Sequence, residues 1–324
     1  MSRAYDNAAD GRYQQGGRRN LIINGNFDVW QRGTTFNTAT VSDHYSADRW
    51  KYYNYDGDTT VTQQPFTVGQ TDVPGEPQYY LRHTCGSTEF YVEQRIEDVR
   101  TAAGQTVTMS AWIKSSVAQT LKFRLYQNFG SGGSSQVLVT NTDVAVTTGW
   151  ARYTLSIDVP SISGKTIGTS SFVKIHIGGS SVTDGSTIDI SQVQLELGNI
   201  ATPFEHRSYG EELALCQRYH YRVTNESESD AAMMESGSMM GTAECVGVIN
   251  HPVEMRAKPT YSQNGTLFFR ANNSQTLSAS PLYQFTTTKR TTIWWGSLSG
   301  TAGISGYIRA NTSDLRSYTL DAEL

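Results

Sequence analysis

The chain is short of charge, cysteine and proline. Only 17% of its 324 residues are charged, against about a quarter in an average soluble domain. Net charge is −4 with no long basic run, so a nucleic-acid partner finds no electrostatic footprint. Three cysteines, Cys85, Cys216 and Cys245, are an odd number at wide spacing. That argues against a disulfide framework and against a zinc site. No apolar run approaches the roughly 18 residues of a spanning helix, so no membrane insertion is expected. The stretch Met1–Gly17 is polar and has no apolar signal core, which fits production in a reducing cytoplasm. Hydrolase signatures are missing as well. There is no Gly-x-Ser-x-Gly elbow, no histidine pair at metal-ligand spacing and no phosphate-cradling glycine loop before a helix. Two carboxylates brought together only by folding would leave no sequence mark; no pattern here designates such a pair, and the chain is expected not to be an enzyme.

What is present is β patterning. Gly, Ser and Thr are abundant and Tyr numbers 18, a profile of many turns and aromatic-studded faces. Val107, Met109, Ala111 and Ile113 alternate with polar residues and Trp112; Leu121, Phe123 and Leu125 alternate with Lys122, Arg124 and Tyr126; Val173, Ile175 and Ile177 alternate with Lys174 and His176. Ile188 and Ile190 are followed by Val193, Leu195 and Leu197, a parity break that predicts a bulge near Ser191 and Gln192. Period-2 alternation means half-buried antiparallel strands, and their spacing predicts a sandwich or jelly roll. One helix is expected near residues 209–220, with Ser208 and Glu211 as a capping box and Leu213, Cys216 and Tyr219 as an apolar stripe. Residues 222–324 return to β patterns over about 100 positions, enough for a small sandwich.

The fold class is therefore all-β: a jelly-roll β-sandwich, a short linker helix and a second small β-sandwich domain. The expected division is an N-terminal arm over residues 1–17, a jelly roll over 18–207, the linker helix over 208–221 and a C-terminal β domain over 222–324. On the alternating strands the non-core positions carry Trp112, Lys114, Lys122, Arg124, Tyr126 and His176, with Tyr91, Glu93 and Arg95 joining them if their strand keeps the same parity. Aromatic faces stack on the apolar C–H patch of a pyranose while charged groups satisfy its hydroxyls. Tyr91, Arg95, Trp112, Arg124, Tyr126 and His176 are therefore the candidate carbohydrate-binding residues; an assembly interface would use the same residue types. In Trp50-Lys-Tyr-Tyr-Asn-Tyr55, Trp50 and Tyr52 share one face and Tyr53 and Tyr55 the other.

Three motifs occur in order: Asn20-Leu-Ile-Ile-Asn-Gly-Asn-Phe-Asp-Val-Trp-Gln-Arg-Gly33, Ser46-Ala-Asp-Arg-Trp50, and the stretch from Gln192 to Tyr219 that contains Leu195-Glu-Leu-Gly198 and Pro203-Phe-Glu-His-Arg207. In these the chain resembles fibre and receptor-binding proteins of tailed bacteriophages, whose carbohydrate-binding-module-like jelly roll opens with the first motif and closes with the last. The resemblance covers roughly residues 18–221. It implies a virion protein that adheres to host surface glycan, assembles as a homotrimer and contacts other virion proteins through its N-terminal arm. A structural head- or tail-decoration protein and a glycan depolymerase are the alternative readings. Jelly rolls of this type often hold a structural Ca²⁺ between the opening motif and an Asp on the last strand, which names Asp28 and Asp189 as metal ligands. Phage members often manage without it, an Asp48–Arg49 salt bridge standing in its place, so no cofactor is required.

Overall fold

In the computed structural model, the described residues are 18–37, 42–54, 59–224, 233–264, 267–270, 274–277, 283–296, 301–310 and 317–324. The proposed N-terminal arm and Tyr55 lie outside them. The chain divides into two compact units, residues 1–212 with Leu324, and residues 213–323. The division falls inside the helix α1 (Tyr209–Gln217).

The first unit is a jelly-roll sandwich of two six-stranded antiparallel sheets. One sheet runs in the order β1 (Thr35–Asn37), β4 (Thr60–Pro65), β5 (Tyr79–Thr84), β12 (Thr187–Leu197), β7 (Thr106–Ser115), β10 (Ala151–Asp158). The other runs β2 (Ser42–Tyr45), β3 (Lys51–Asn54), β6 (Phe90–Glu97), β11 (Phe172–Gly179), β8 (Gln119–Asn128), β9 (Val137–Val146). Met109 and Ile113 from the first sheet meet Phe123, Leu125, Val92 and Ile175 from the second in one core. The aliphatic set read in the sequence is buried in β7, β8 and β11, while Trp112, Lys114, Lys122, Arg124, Tyr126 and Lys174 between them are partly exposed and Thr108, Ser110 and His176 are covered. β12 shifts register between Ser191 and Gln194, the expected bulge. Gln192 takes a left-handed φ of 49° there, and its amide donates to the Pro74 carbonyl at 2.6 Å.

The three sequence motifs converge on one buried hydrogen-bonded hub. Asn24 adopts φ 57°, a conformation asparagine tolerates better than most residues. Its side chain donates to the carbonyls of Val29 and Asp48 at 2.8 and 3.0 Å and accepts from the Val29 amide at 3.0 Å. Its own carbonyl accepts from the Trp50 indole at 2.9 Å. Asn20 bonds the last strand, donating to the Val193 carbonyl and accepting from the Leu195 amide. A side chain at Gly25 would collide with the Val193 carbonyl oxygen, so that position needs glycine. The closing motif returns to the same place: Glu205 accepts from the amides of Arg19 and Asn20 at 2.9 and 2.8 Å, and Arg207 donates to the Ile22 carbonyl at 3.0 Å. Asp48 accepts from the Gln31 amide at 3.0 Å, and Arg49 donates to the Arg95 carbonyl.

The capping box forms as expected. The Ser208 amide donates to Glu211 at 3.0 Å and the Glu211 amide donates back to the Ser208 hydroxyl at 3.4 Å. The expected apolar stripe does not run the length predicted for it. Helix α1 stops at Gln217, and His220 already begins a strand. Cys216, Tyr219 and His220 are buried within the single chain, leaving only Leu213 half-buried. Apolar helix positions are satisfied first by whatever the same chain places nearest.

The second unit has two antiparallel sheets. A three-stranded one orders β13 (His220–Thr224), β22 (Ser317–Asp321), β16 (Thr260–Asn264). The seven-stranded one orders β18 (Ser274–Leu277), β17 (Leu267–Arg270), β21 (Ser305–Ala310), β14 (Met233–Met239), β15 (Cys245–Asn250), β20 (Arg290–Trp295), β19 (Tyr283–Thr286). Tyr318 and Leu320 of the smaller sheet share a core with Cys245, Phe269, Ile293 and Trp295 of the larger. All three cysteines are buried, and none forms a disulfide among the described residues.

Candidate functional site

The outer face of the β2–β9 sheet is a grid set by strand register. One row runs Lys51, Glu93, His176, Arg124, Asn141. On one side of it lie Tyr91, Gly178, Lys122 and Asp143; on the other, Arg95, Lys174 and Tyr126. A groove of about 260 Å³ opens on this grid. Tyr53, Tyr91 and Tyr126 give it aromatic walls; Asp43, Glu93, Arg124 and His176 give it polar ones. Gly178 is what leaves room, because a Cβ there would strike the Tyr91 ring and the Phe90 carbonyl oxygen.

His176 is the floor. It is 8% exposed and stacks under Tyr91, with ring centroids 4.1 Å apart and planes 29° apart. Burial, aided by the positive charges of Lys174 and Arg124, pushes its pKa down to about 2, so the imidazole is neutral in the ordinary pH range. Its Nδ1 is buried without a hydrogen-bond partner. Glu93 is held by Arg95 and Lys174, each at 3.0 Å. The Lys174 ammonium also lies 4.6 Å from the Tyr126 ring centroid. The Arg124 guanidinium sits 5.1 Å from the Tyr91 centroid and donates through Nε to the Asn141 amide oxygen at 2.8 Å. Asp43 pairs with Lys51 at 2.9 Å.

Tyr91, Arg124, Tyr126 and His176 thus stand together, and Arg95 adjoins them through Glu93. Trp112 does not, and that expectation is corrected. It sits half-buried on β7, which belongs to the other sheet, beside Arg152 and Ser191. Its outward parity is right, but its sheet faces the opposite way. Lys114 goes with it, its ammonium 5.1 Å from the Trp150 ring and 5.7 Å from Tyr80. Phe66, Tyr80 and Trp150 form a separate aromatic cluster there, with centroids 4.8–5.4 Å apart. Asp43 went unnoticed in the sequence because β2 is too short to show a period.

The two acids named as metal ligands have different partners. Asp189 is neutralised by Arg82, through bonds of 2.7 and 2.9 Å, and by Lys114 at 3.4 Å. Asp28 accepts from the Asn26 side-chain amide at 3.1 Å. Burial raises its pKa to about 6, with the charge of Glu212 adding to the rise. Among the described residues no cluster of three or more His, Cys, Asp or Glu is placed to hold a metal ion.

No family model matches the chain, and no curated protein matches it in sequence. Solved structures similar to it include the enzymatically active domain of bacteriophage CBA120 tailspike protein 4, at 17% identity and TM-score 0.36 over 55% of this chain and 21% of that one. The CBM22-1 xylan-binding domain of Paenibacillus barcinonensis Xyn10C is similar at 14% identity and TM-score 0.34, over 56% and 96% of the two chains. The N-terminal cellulose-binding domain of Cellulomonas fimi β-1,4-glucanase C is similar at 15% and 0.33, over 53% and 97%. The matched part of this chain spans about a fifth of the tailspike domain and nearly all of each binding module.

Proposed function

We propose that the chain binds saccharide through the groove of the β2–β9 sheet and breaks no bond there. The observation that carries this is the grouping of three tyrosine rings with a guanidinium, an imidazole and two carboxylates in one groove of about 260 Å³. Rings supply stacking for a pyranose face, and the polar groups supply directional bonds to its hydroxyls. Both groove carboxylates are engaged by cations, Glu93 by two and Asp43 by one, which suits them to accept hydroxyl hydrogen bonds rather than to shuttle protons. The wider reading is a fibre- or spike-type virion protein that adheres to host glycan as a homotrimer. It rests on the order of the three sequence motifs gathered at the Asn24–Trp50 hub, and on the gain that several weak sugar sites draw from multivalency.

Tyr126→Ala is expected to weaken glycan binding by about 1–2 kcal/mol per site, roughly five- to thirtyfold. Trp112→Ala is expected to leave binding unchanged, since Trp112 lies on the other sheet. A glycan array with both variants and the parent tests this. Loss in Trp112→Ala with retention in Tyr126→Ala would move the site to the β1–β10 sheet. Light scattering of the purified chain is expected to report a trimer; a stable monomer at micromolar concentration would overturn that part of the reading.

A further inference from the structure

The charges of the groove are unequal, and the inequality falls on one residue. In the rows that floor the groove stand five cations, Lys51, Arg95, Lys122, Arg124 and Lys174, and three carboxylates, Asp43, Glu93 and Asp143. Lys51 pairs with Asp43 and Lys122 with Asp143. Arg95 and Lys174 divide Glu93 between them, and Arg95 also donates to the Leu324 carbonyl oxygen at 2.7 Å. Arg124 has no carboxylate partner among the described residues; its bonds are to two neutral groups, the Asn141 amide and the Tyr126 side chain. The groove therefore carries excess positive charge on a chain whose net charge is −4.

Resting on the saccharide reading above, we infer that the groove selects an acidic saccharide, one bearing a carboxylate or sulfate ester, with Arg124 as the residue that binds the anionic group. The geometry suits that role. Arg124 spends its Nε on Asn141, lies against the Tyr91 ring and hydrogen-bonds the Tyr126 side chain, which fixes the guanidinium plane at the groove. A guanidinium held in this way offers two parallel donors to a carboxylate or sulfate, with little further loss of side-chain freedom. His176 gives a second, independent observation. It is more than nine-tenths buried, borders Arg124 in the same row and has an Nδ1 without a partner. A buried polar atom left unpaired is costly, and a ligand oxygen seated between Tyr91 and Arg124 would pair with the imidazole. An anion there would also offset the positive charges beside the ring.

The test uses the full chain on an array of neutral, carboxylated and sulfated glycans, followed by titration of the best ligand and of the same ligand with its acid groups esterified or removed. The parent is expected to bind acidic glycans and to lose about tenfold or more when the anionic group is blocked. Binding should weaken as salt rises from about 0.05 to 0.5 M, because the groove is open to solvent. Arg124→Gln should lose about as much as blocking the ligand does, with its thermal transition unchanged. Arg124→Lys should recover only part, since it restores the charge but not the fork. Carboxylated and sulfated glycans in separate arms tell the two anions apart. Equal binding of neutral glycans, with Arg124→Gln indifferent, would overturn the acidic selectivity and leave the saccharide reading standing. A folded parent that binds no glycan at all would overturn both.

Discussion

Replacing Trp50 by alanine is expected to remove about 3–5 kcal/mol of stability from the first unit, the range for deleting a large buried aromatic. Trp50 is fully buried and packs on Phe27 with centroids 5.0 Å apart. Its indole N–H satisfies the Asn24 carbonyl at 2.9 Å, and Asn24 in turn ties the first motif to Val29 and Asp48. The substitution opens a cavity and strands an acceptor at the same point, and these costs add. Trp50→Phe refills most of the volume but not the bond, and should cost about 1–3 kcal/mol. Urea unfolding followed by near-ultraviolet circular dichroism measures both. A loss below about 1 kcal/mol for the alanine variant would show that the hub does not hold the sandwich together.

Acid is expected to weaken the first unit through buried neutral histidines. His83 is fully buried among Phe90, at 4.3 Å between centroids, Tyr52 and the Cys85 sulfur. Burial pushes its pKa down to about 3; His176 is pushed to about 2. Unfolded histidine titrates near 6.5. Both therefore contribute stability that is complete above pH 6.5 and lost as pH falls from there toward about 3. Asp28 acts with the opposite sign. Burial raises its pKa to about 6, so its ionised form opposes folding above pH 6, and that opposition is relieved as pH falls toward 4. Two proton sites on one side and one on the other leave a net loss, roughly 3 kcal/mol between pH 6.5 and 4. His83→Leu should flatten that slope, and Asp28→Asn should steepen it while raising stability at pH 7.5. Urea midpoints at several pH values decide the matter. A pH slope in His83→Leu identical to the parent's would refute the account for that residue.

Much of the groove was legible before folding because strand parity is local. Two side chains one residue apart on a strand face opposite sides, so the aliphatic positions of β8 and β11 committed Arg124, Tyr126 and His176 to the outside. The same rule set Tyr53 against Trp50 and Tyr52. The bulge at Gln192 was visible as a break in parity. The capping box was visible as Ser208 and Glu211 three residues apart. Each signal spans only a few residues, which is why it survives in one dimension.

Trp112 and the helix stripe mark the limit. Parity placed Trp112 outside correctly, yet a sandwich has two outsides, and which sheet β7 joins depends on partners tens of residues away: β12 and β10 rather than β8. Period 3.6 grouped Leu213 with Cys216 correctly, but only the completed chain shows that Cys216 is already covered. Asp189 carried the acidic chemistry of a metal ligand, and long-range pairing with Arg82 and Lys114 gave it another role. The sequence by itself determined the class of fold, the inward and outward face of each strong strand, the bulge, the cap and the motifs that meet at Trp50, because these follow from backbone geometry and nearest-neighbour chemistry. Only the tertiary structure decided which strands share a sheet, and therefore which outward residues form one groove, which charges neutralise each other and which arginine is left over. Pairing across a sheet joins residues far apart in the chain, and its register is set by the packing of the whole core.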